Sequence, residues 1–264
     1  MSQQALSPRT HLKRQIDVIG ALILRDLHTR FDRAAMYIIA VGWPMAHIAI
    51  IVAIYQIIGA RVWLGTDPVL FFALGVMPFI LFTYPCRWVA QAIPDNRILL
   101  QIPRVQTIDL ILSRVILECV TAFAVTLACV GTLILIGSQF QPFDPLDLIG
   151  GLAASLLLGI GAGIACGVLV AIKQRALIIV LLFNLLLYTL SGLIFLPGNL
   201  PAEIRDTLAW NPLMHGVEWV REAYYGDYHS VVLNKPYLLT VGSVLLLSGL
   251  LAERMLRGRI LRSL

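Results

Sequence analysis

Charge is scarce in this chain. Asp, Glu, Lys and Arg make up 13% of its 264 residues, against 59% apolar residues. A soluble domain carries about 25% charged residues, so this chain lacks the groups to cover a water-exposed surface of its size. That excludes a soluble enzyme, a disordered chain and a secreted disulfide scaffold. Cysteine is sparse too: Cys86, Cys119, Cys129 and Cys166 all sit in apolar stretches, without CxxC or Cys/His ligand spacing. They read as packing residues. Lysine occurs only at Lys13, Lys173 and Lys235, never after a Gly-rich loop, and no GxxxxGK[ST] is present. HExxH, GxSxG and clustered carboxylate pairs are missing as well, so no catalytic residue and no metal ligand is assigned.

Long apolar runs are abundant. A hydrocarbon core about 30 Å thick needs about 20 apolar residues in a helix. Six stretches qualify, at about 34–60, 69–93, 107–137, 148–172, 176–196 and 237–253. The alternating pattern of a barrel strand is absent, which leaves helices as the spanning option. Residues 1–33 hold no apolar core of a signal peptide, so the first span is expected in the mature protein.

The net charge of +5 raises the question of nucleic acid. Sorting the cations by loop answers it. With the N-terminus inside, 16 of the 20 Lys and Arg fall in inner segments and four in outer ones. That asymmetry places both termini in the cytoplasm. The basic surplus is an orientation signal, and nucleic acid is not expected as a partner.

Several segments carry further patterns. Leu12, Ile16, Ile19, Ile23, Leu27 and Phe31 recur at helical spacing, with Lys13, Arg14, Asp17, Arg25, Asp26 and Arg30 on the other face. This amphipathic helix belongs at the interface, as a simple anchor or as a gate at a pore entrance. Ser155, Gly159, Gly163 and Gly167 form a small-residue stripe that lets another helix approach closely. Asn184, Tyr188 and Ser191 make a polar stripe, read as interhelical hydrogen bonding with pore lining as the alternative. Pro44, Pro78 and Pro85 can kink their spans. His47 lies inside the first span with no other ionisable group aligned, so it reads as a packing residue. Arg114 and Glu118 share a helix face at i and i+4 and are expected to pair, as a functional couple or a structural lock.

Two loops stand out. The outer stretch 197–236 has Leu213, Val217, Val220 and Tyr224 at helical spacing, turn signals at Pro197-Gly198, Pro201 and Asn211-Pro212, and Trp210 and Trp219 as expected interfacial anchors. The inner stretch between the second and third spans has Pro94 and Pro103 bracketing eight residues with an apolar ridge of Ile98, Leu99 and Ile102. It is too short to span, yet apolar enough to dock on lipid or on a cytoplasmic partner.

Three stretches carry a resemblance. They are Leu24-Arg25-Asp26-Leu27 with Arg30-Phe31; Asn96-Arg97-Ile98-Leu99-Leu100 with Pro103-Arg104-Val105, Asp109, Arg114 and Glu118; and Asn211 through Glu218 with Arg221 and Tyr224-Tyr225-Gly226-Asp227-Tyr228-His229. Together they resemble the membrane subunit of ABC-2 type exporters of capsular polysaccharide, the KpsM type. The six-span layout fits too, so the resemblance covers nearly the whole chain.

The resemblance implies an all-α membrane protein with the ABC-2 (type V) exporter fold, six transmembrane helices and an N-terminal amphipathic interfacial helix, with residues 1–264 forming one domain. Residues 1–33 become a gate helix with Arg25, Asp26 and Arg30. Residues 94–106 become the coupling helix, with Asp95, Asn96, Arg97, Ile98, Leu99, Leu100, Ile102 and Pro103 seated in an ATPase. Residues 197–236 become an outer loop with short re-entrant helices. Two copies of the subunit would form the channel, and two separate cytoplasmic ABC ATPase subunits would bind ATP and Mg and supply the energy. The substrate would be a lipid-linked acidic polysaccharide, passed to a periplasmic co-polymerase and an outer-membrane export protein. Tyr84, Trp88, Tyr188, Tyr224 and Tyr225 are candidates for an aromatic surface on which the glycan slides. The place is the bacterial inner membrane. An ABC-2 exporter of O-antigen, teichoic acid or a drug shares this architecture. A secondary transporter would need an acidic relay and internal repeats, and neither is evident.

Overall fold

The computed structural model describes residues 8–31, 34–59 and 62–262, the side chains at 8–12, 29–31, 34–41, 43 and 44 excepted. Among these residues the chain is helical and has no strand. The helices are α1 (Pro8–Phe31), α2 (Ala34–Ile57), α3 (Pro68–Ala90), α4 (Thr107–Leu135), α5 (Pro145–Ile172), α6 (Ala176–Leu190), α7 (Ala202–Leu208), α8 (Pro212–Tyr224) and α9 (Lys235–Arg262). Short 3-10 turns occupy Pro94–Gln101 and Pro197–Asn199.

Three helices start in the same way. Asp67-Pro68, Asp144-Pro145 and Asn211-Pro212 each place an Asx side chain at the N-cap and a proline at the first helical position. Asp67 accepts from the Val69 N–H at 2.9 Å, Asp144 from Leu146 and Asp147 at 3.0 and 2.9 Å, and Asn211 from Leu213 at 3.0 Å. The cap satisfies N–H groups that the helix cannot, and proline supplies a pre-set φ where its missing N–H costs nothing.

Four helices, α3, α4, α5 and α9, are long and apolar enough to cross a membrane. The backbone of α2 is helical for 24 residues, and its described apolar part is Met45–Ile57. The fifth expected span differs from its sequence pattern. Helix α6 has 15 residues, about 22 Å at 1.5 Å per residue, short of a core about 30 Å thick. The chain continues from Ser191 to Leu196 without helical hydrogen bonding, although Ser191, Leu193 and Leu196 are buried.

Helix α5 is the axis of the bundle, packed against α3 on one side and α9 on the other. Its glycines make this possible. A Cβ on Gly163 would stand 2.8 Å from the Pro85 carbonyl oxygen of α3, and one on Gly161 would stand 2.6 Å from the Gly242 carbonyl oxygen of α9. Close backbone approach replaces a hydrophobic drive that lipid cannot supply. The Leu81 carbonyl, whose helical N–H partner is lost at Pro85, faces Gly159 across this contact.

Helix α1 packs on α4. Its inward face is Leu22 and Asp26, while Ile16 and Leu24 are 60% exposed. The buried face is thus rotated toward Asp26, with Ile19, Ile23 and Leu27 of the expected stripe half-buried at its edge. Asp26, assigned by spacing to the polar face, is buried because Arg114 lies opposite it.

Candidate functional site

At one end of the bundle, α1, α4, α9 and the Pro94–Gln101 turn meet in a polar node. Pro94 starts the turn, and Asn96 departs from helical geometry at φ −119 and ψ 22. This kink buries the Asn96 side chain, whose Nδ2 donates to the Ala92 carbonyl at 2.9 Å. Its Oδ1 accepts from the Arg25 guanidinium of α1. Arg25 also donates to Asp26 at 2.5 Å. Arg114 of α4 lies 3.9 Å from Asp26 and 3.7 Å from Asp95. The sequence places Glu118 as its partner from the same helix; the structure adds these two carboxylates from other elements. Glu118 is buried one turn away. Burial pushes the Asp95 carboxyl up; the Arg114 charge opposes this, and the nearby Asp26 charge adds to it.

A second set of bonds ties in α9. Gln15 of α1 donates to Asp109 at 2.9 Å, and Asp109 caps α4 through the Gln106 N–H at 2.9 Å. Thr107 donates to the buried Glu253 of α9, which also holds Arg257 at 3.0 Å. On the outside of the turn, Ile98 is 78% exposed and Ile102 48%. Leu99 and Leu100 are half-buried, Gln101, Pro103 and Arg104 are exposed, and Arg97 reaches back to the Ala171 carbonyl at 3.5 Å. An apolar ridge thus faces outward from a segment whose inner side is wired to three helices. The Arg30 side chain lies outside the described residues.

The opposite end is closed by α8, which is buried along almost its whole length. Arg221 is fully buried. It donates to the carbonyls of Gly192 at 2.7 Å, Leu193 at 2.8 Å and Phe195 at 3.3 Å, and pairs with Glu218 at 3.2 Å. Its guanidinium carbon sits 4.2 Å from the Phe71 ring centre. These are the carbonyls that the break after α6 leaves without helical partners. Glu218 also accepts from Tyr228 at 2.5 Å and Ser230 at 2.7 Å. Trp219 is buried against Gly150 and Gly151 and donates to Asp147 at 2.9 Å; it is a packing residue, whereas Trp210 is 77% exposed. His215 donates from Nε2 to the Ala209 carbonyl at 2.8 Å and accepts at Nδ1 from the Asn234 N–H at 3.0 Å. Burial holds its imidazole below the ordinary range.

The five candidate channel aromatics lie at different levels. Tyr224 and Tyr225 touch edge to face at 4.9 Å in the cap, and Tyr224 donates to the Gln139 carbonyl at 2.6 Å. Tyr188 hydrogen-bonds His47 at 2.6 Å, joining α6 to α2, and Phe79 packs against it at 4.8 Å. Asn184 likewise reaches Cys86 of α3 at 3.7 Å. Tyr84 and Trp88 stand one turn apart on α3, and Trp88 is flanked by Arg87 and Arg114 at 5.5 and 5.7 Å.

Among the described residues no cluster of His, Cys, Asp and Glu could hold a metal. The geometry offers mechanical linkage and closure at two ends of a helical bundle.

Residues 64–252 match the family described as ABC-2 family transporter protein. Over 242 residues the chain is 31% identical to the polysialic acid transport protein KpsM of Escherichia coli, covering 89% of this chain and 92% of that protein. It is 27% identical over 235 residues to the capsule polysaccharide export inner-membrane protein CtrC of Neisseria meningitidis serogroup B, covering 88% of each. It is 26% identical over 240 residues to the capsule polysaccharide export inner-membrane protein BexB of Haemophilus influenzae, again covering 88% of each.

Proposed function

The chain belongs to the ABC-2 transporter family, and from that membership we propose that it is the membrane subunit of an ATP-driven exporter of capsular polysaccharide. The observation that carries this reading is similarity to capsule-export proteins over 88–89% of the chain. The chain is one transmembrane domain in the bacterial inner membrane. It crosses six times, α2 completing one span beyond the four long ones and α6 with the unwound residues 191–196 another, and both termini lie in the cytoplasm. The excess of inner Lys and Arg supports this orientation.

The exposed apolar ridge of Ile98 and Ile102 docks into a separate ATPase subunit, which binds ATP and Mg. Residues 94–106 act as the coupling element and residues 1–33 as the gate. Movement of the turn reaches α1 through Asn96 and Arg25, and α4 through Asp95 and Arg114. Two copies of the subunit form the channel. The outward apolar faces of α6, with Ile179 69% and Leu182 61% exposed, suit a second copy as well as lipid. The stretch 197–236 caps the channel as re-entrant helices, held by Arg221. A lipid-linked acidic polysaccharide slides past Tyr84, Trp88, Tyr188, Tyr224 and Tyr225 toward a periplasmic co-polymerase and an outer-membrane export protein.

The test is deletion and complementation. Cells lacking the chain accumulate polysaccharide in the cytoplasm, and restoring it returns glycan to the surface while an ATPase co-purifies in equal amount. Unchanged surface glycan in the deletion overturns the reading.

A further inference from the structure

Helices α4 and α5 both pack on α3 and scarcely touch each other. Between them runs a groove of about 410 Å³, floored by Met77 and Leu81 of α3. Its lining is apolar throughout. The hydroxyl of Thr126, which faces it, is already bonded to the Ala122 carbonyl at 2.9 Å. On α5 the groove runs from Pro145 to Leu156, and on α4 from Val130 down to Cys119. Either wall is about 16 Å long at 1.5 Å per residue. That is about half of a hydrocarbon core about 30 Å thick, so the groove extends from the cap-side interface to mid-membrane, the reach of one acyl chain.

The mouth has a definite charge. In the stretch 138–149 the only ionisable groups are Asp144 and Asp147. Asp147 gives its oxygens to Trp219 and Lys235. Asp144 is exposed and occupies the helix N-terminus with its own Oδ1, the place where a lipid phosphate would otherwise bind. An acidic mouth repels an anionic headgroup and attracts an ammonium.

We propose that the α4–α5 groove holds one acyl chain of a phosphatidylethanolamine from the cap-side leaflet, its ammonium beside Asp144. The site rests on α4 and α5 crossing a bilayer, and its test is independent of what is exported. Phospholipid retained by the complex of this chain with its ATPase is measured by native mass spectrometry. The wild-type complex keeps phosphatidylethanolamine. Ala153→Trp fills the groove from an exposed wall position and loses it. Leu127→Trp does the same from the opposite wall, so a folding fault in one variant does not decide the result. In nanodiscs of equal phosphatidylethanolamine and phosphatidylglycerol, Asp144→Asn keeps the helix cap, retains lipid and loses the preference for phosphatidylethanolamine. Equal retention in wild type and both Trp variants overturns the site. So does cross-linking of Phe123→Cys to a second copy or another subunit, since that puts protein where the acyl chain belongs.

Discussion

Arg221 donates from Nη2 to the carbonyl oxygen of Leu193 at 2.8 Å, fixing α8 to the broken end of α6. The same guanidinium serves Gly192, Phe195 and Glu218. A planar fork can serve several acceptors at once, and a lysine ammonium cannot match that geometry. Arg221→Met leaves Glu218 buried without its cation and three carbonyls without a donor. The expected loss is about 3–5 kcal/mol, the range for breaking a buried pair on one side. Arg221→Met combined with Glu218→Gln recovers part of it, because no unmatched charge remains. Thermal unfolding of the purified protein checks the order: wild type, double variant, single variant.

Ile98 presents 78% of its surface outward from the Pro94–Gln101 turn. Ile98→Asp therefore removes an apolar contact for a partner without disturbing the core of this chain. The expected outcome is normal insertion and thermal stability, with loss of the co-purifying ATPase. Normal recovery of the ATPase would remove the ridge from the coupling surface.

Much of this arrangement was legible in the sequence because bilayer physics is written in long apolar runs. Pro94 and Pro103 bracketed the inner turn, and the Ser155–Gly167 stripe marked the close face of α5. Less was legible where one helix turns a residue toward another. Asp26 sat on the polar side of α1 by spacing, yet its burial depends on Arg114 about 90 positions away. Arg114 had Glu118 as its nearest sequence partner, and spacing within α4 could not show that Asp26 of α1 and Asp95 of the turn also approach it. The end of α6 at Leu190 was hidden for a related reason. Residues 191–196 are apolar enough to continue a span, and the broken backbone there is tolerable because Arg221 and Tyr55 donate to its carbonyls. A visible hint was Glu218 and Arg221 at i and i+3 in a helix that also carries Leu213, Val217, Trp219 and Val220.

Arg25 and Asn96 join α1 to the Pro94–Gln101 turn. If this bond transmits movement, Arg25→Ala and Asn96→Ala each keep the ATPase bound and hydrolysing but lower export. Each side chain has other contacts, since Asn96 also bonds Ala92 and Arg25 bonds Asp26. Because both variants break the same bond, their effects should be non-additive, the double variant losing less than the two single losses combined. Surface glycan per ATP hydrolysed, measured for both single variants and the double, checks this. Strict additivity would mean that the two residues act separately.

His215 uses both ring nitrogens, donating from Nε2 to Ala209 and accepting at Nδ1 from the Asn234 N–H. Only the neutral ring with its proton on Nε2 can do both, and protonating Nδ1 sets two donors against each other. Burial, the largest influence, lowers the imidazole in the folded state, and its bond to Ala209 and the Glu218 charge only partly offset this. The folded protein thus binds a proton less readily than the unfolded chain, whose histidine titrates near about 6.5. The stabilisation is complete above that value and declines as pH falls through and below it, toward the folded-state value. The link between the α7–α8 connection and the start of α9 should loosen in the same direction. Hydrogen exchange at the Asn234 amide, corrected for the intrinsic effect of pH, should speed up between pH 8 and 5 in the wild type. In His215→Gln, which cannot titrate, the corrected rate should be flat across that range. A flat profile in the wild type would mean that His215 does not hold Asn234 in place through this bond.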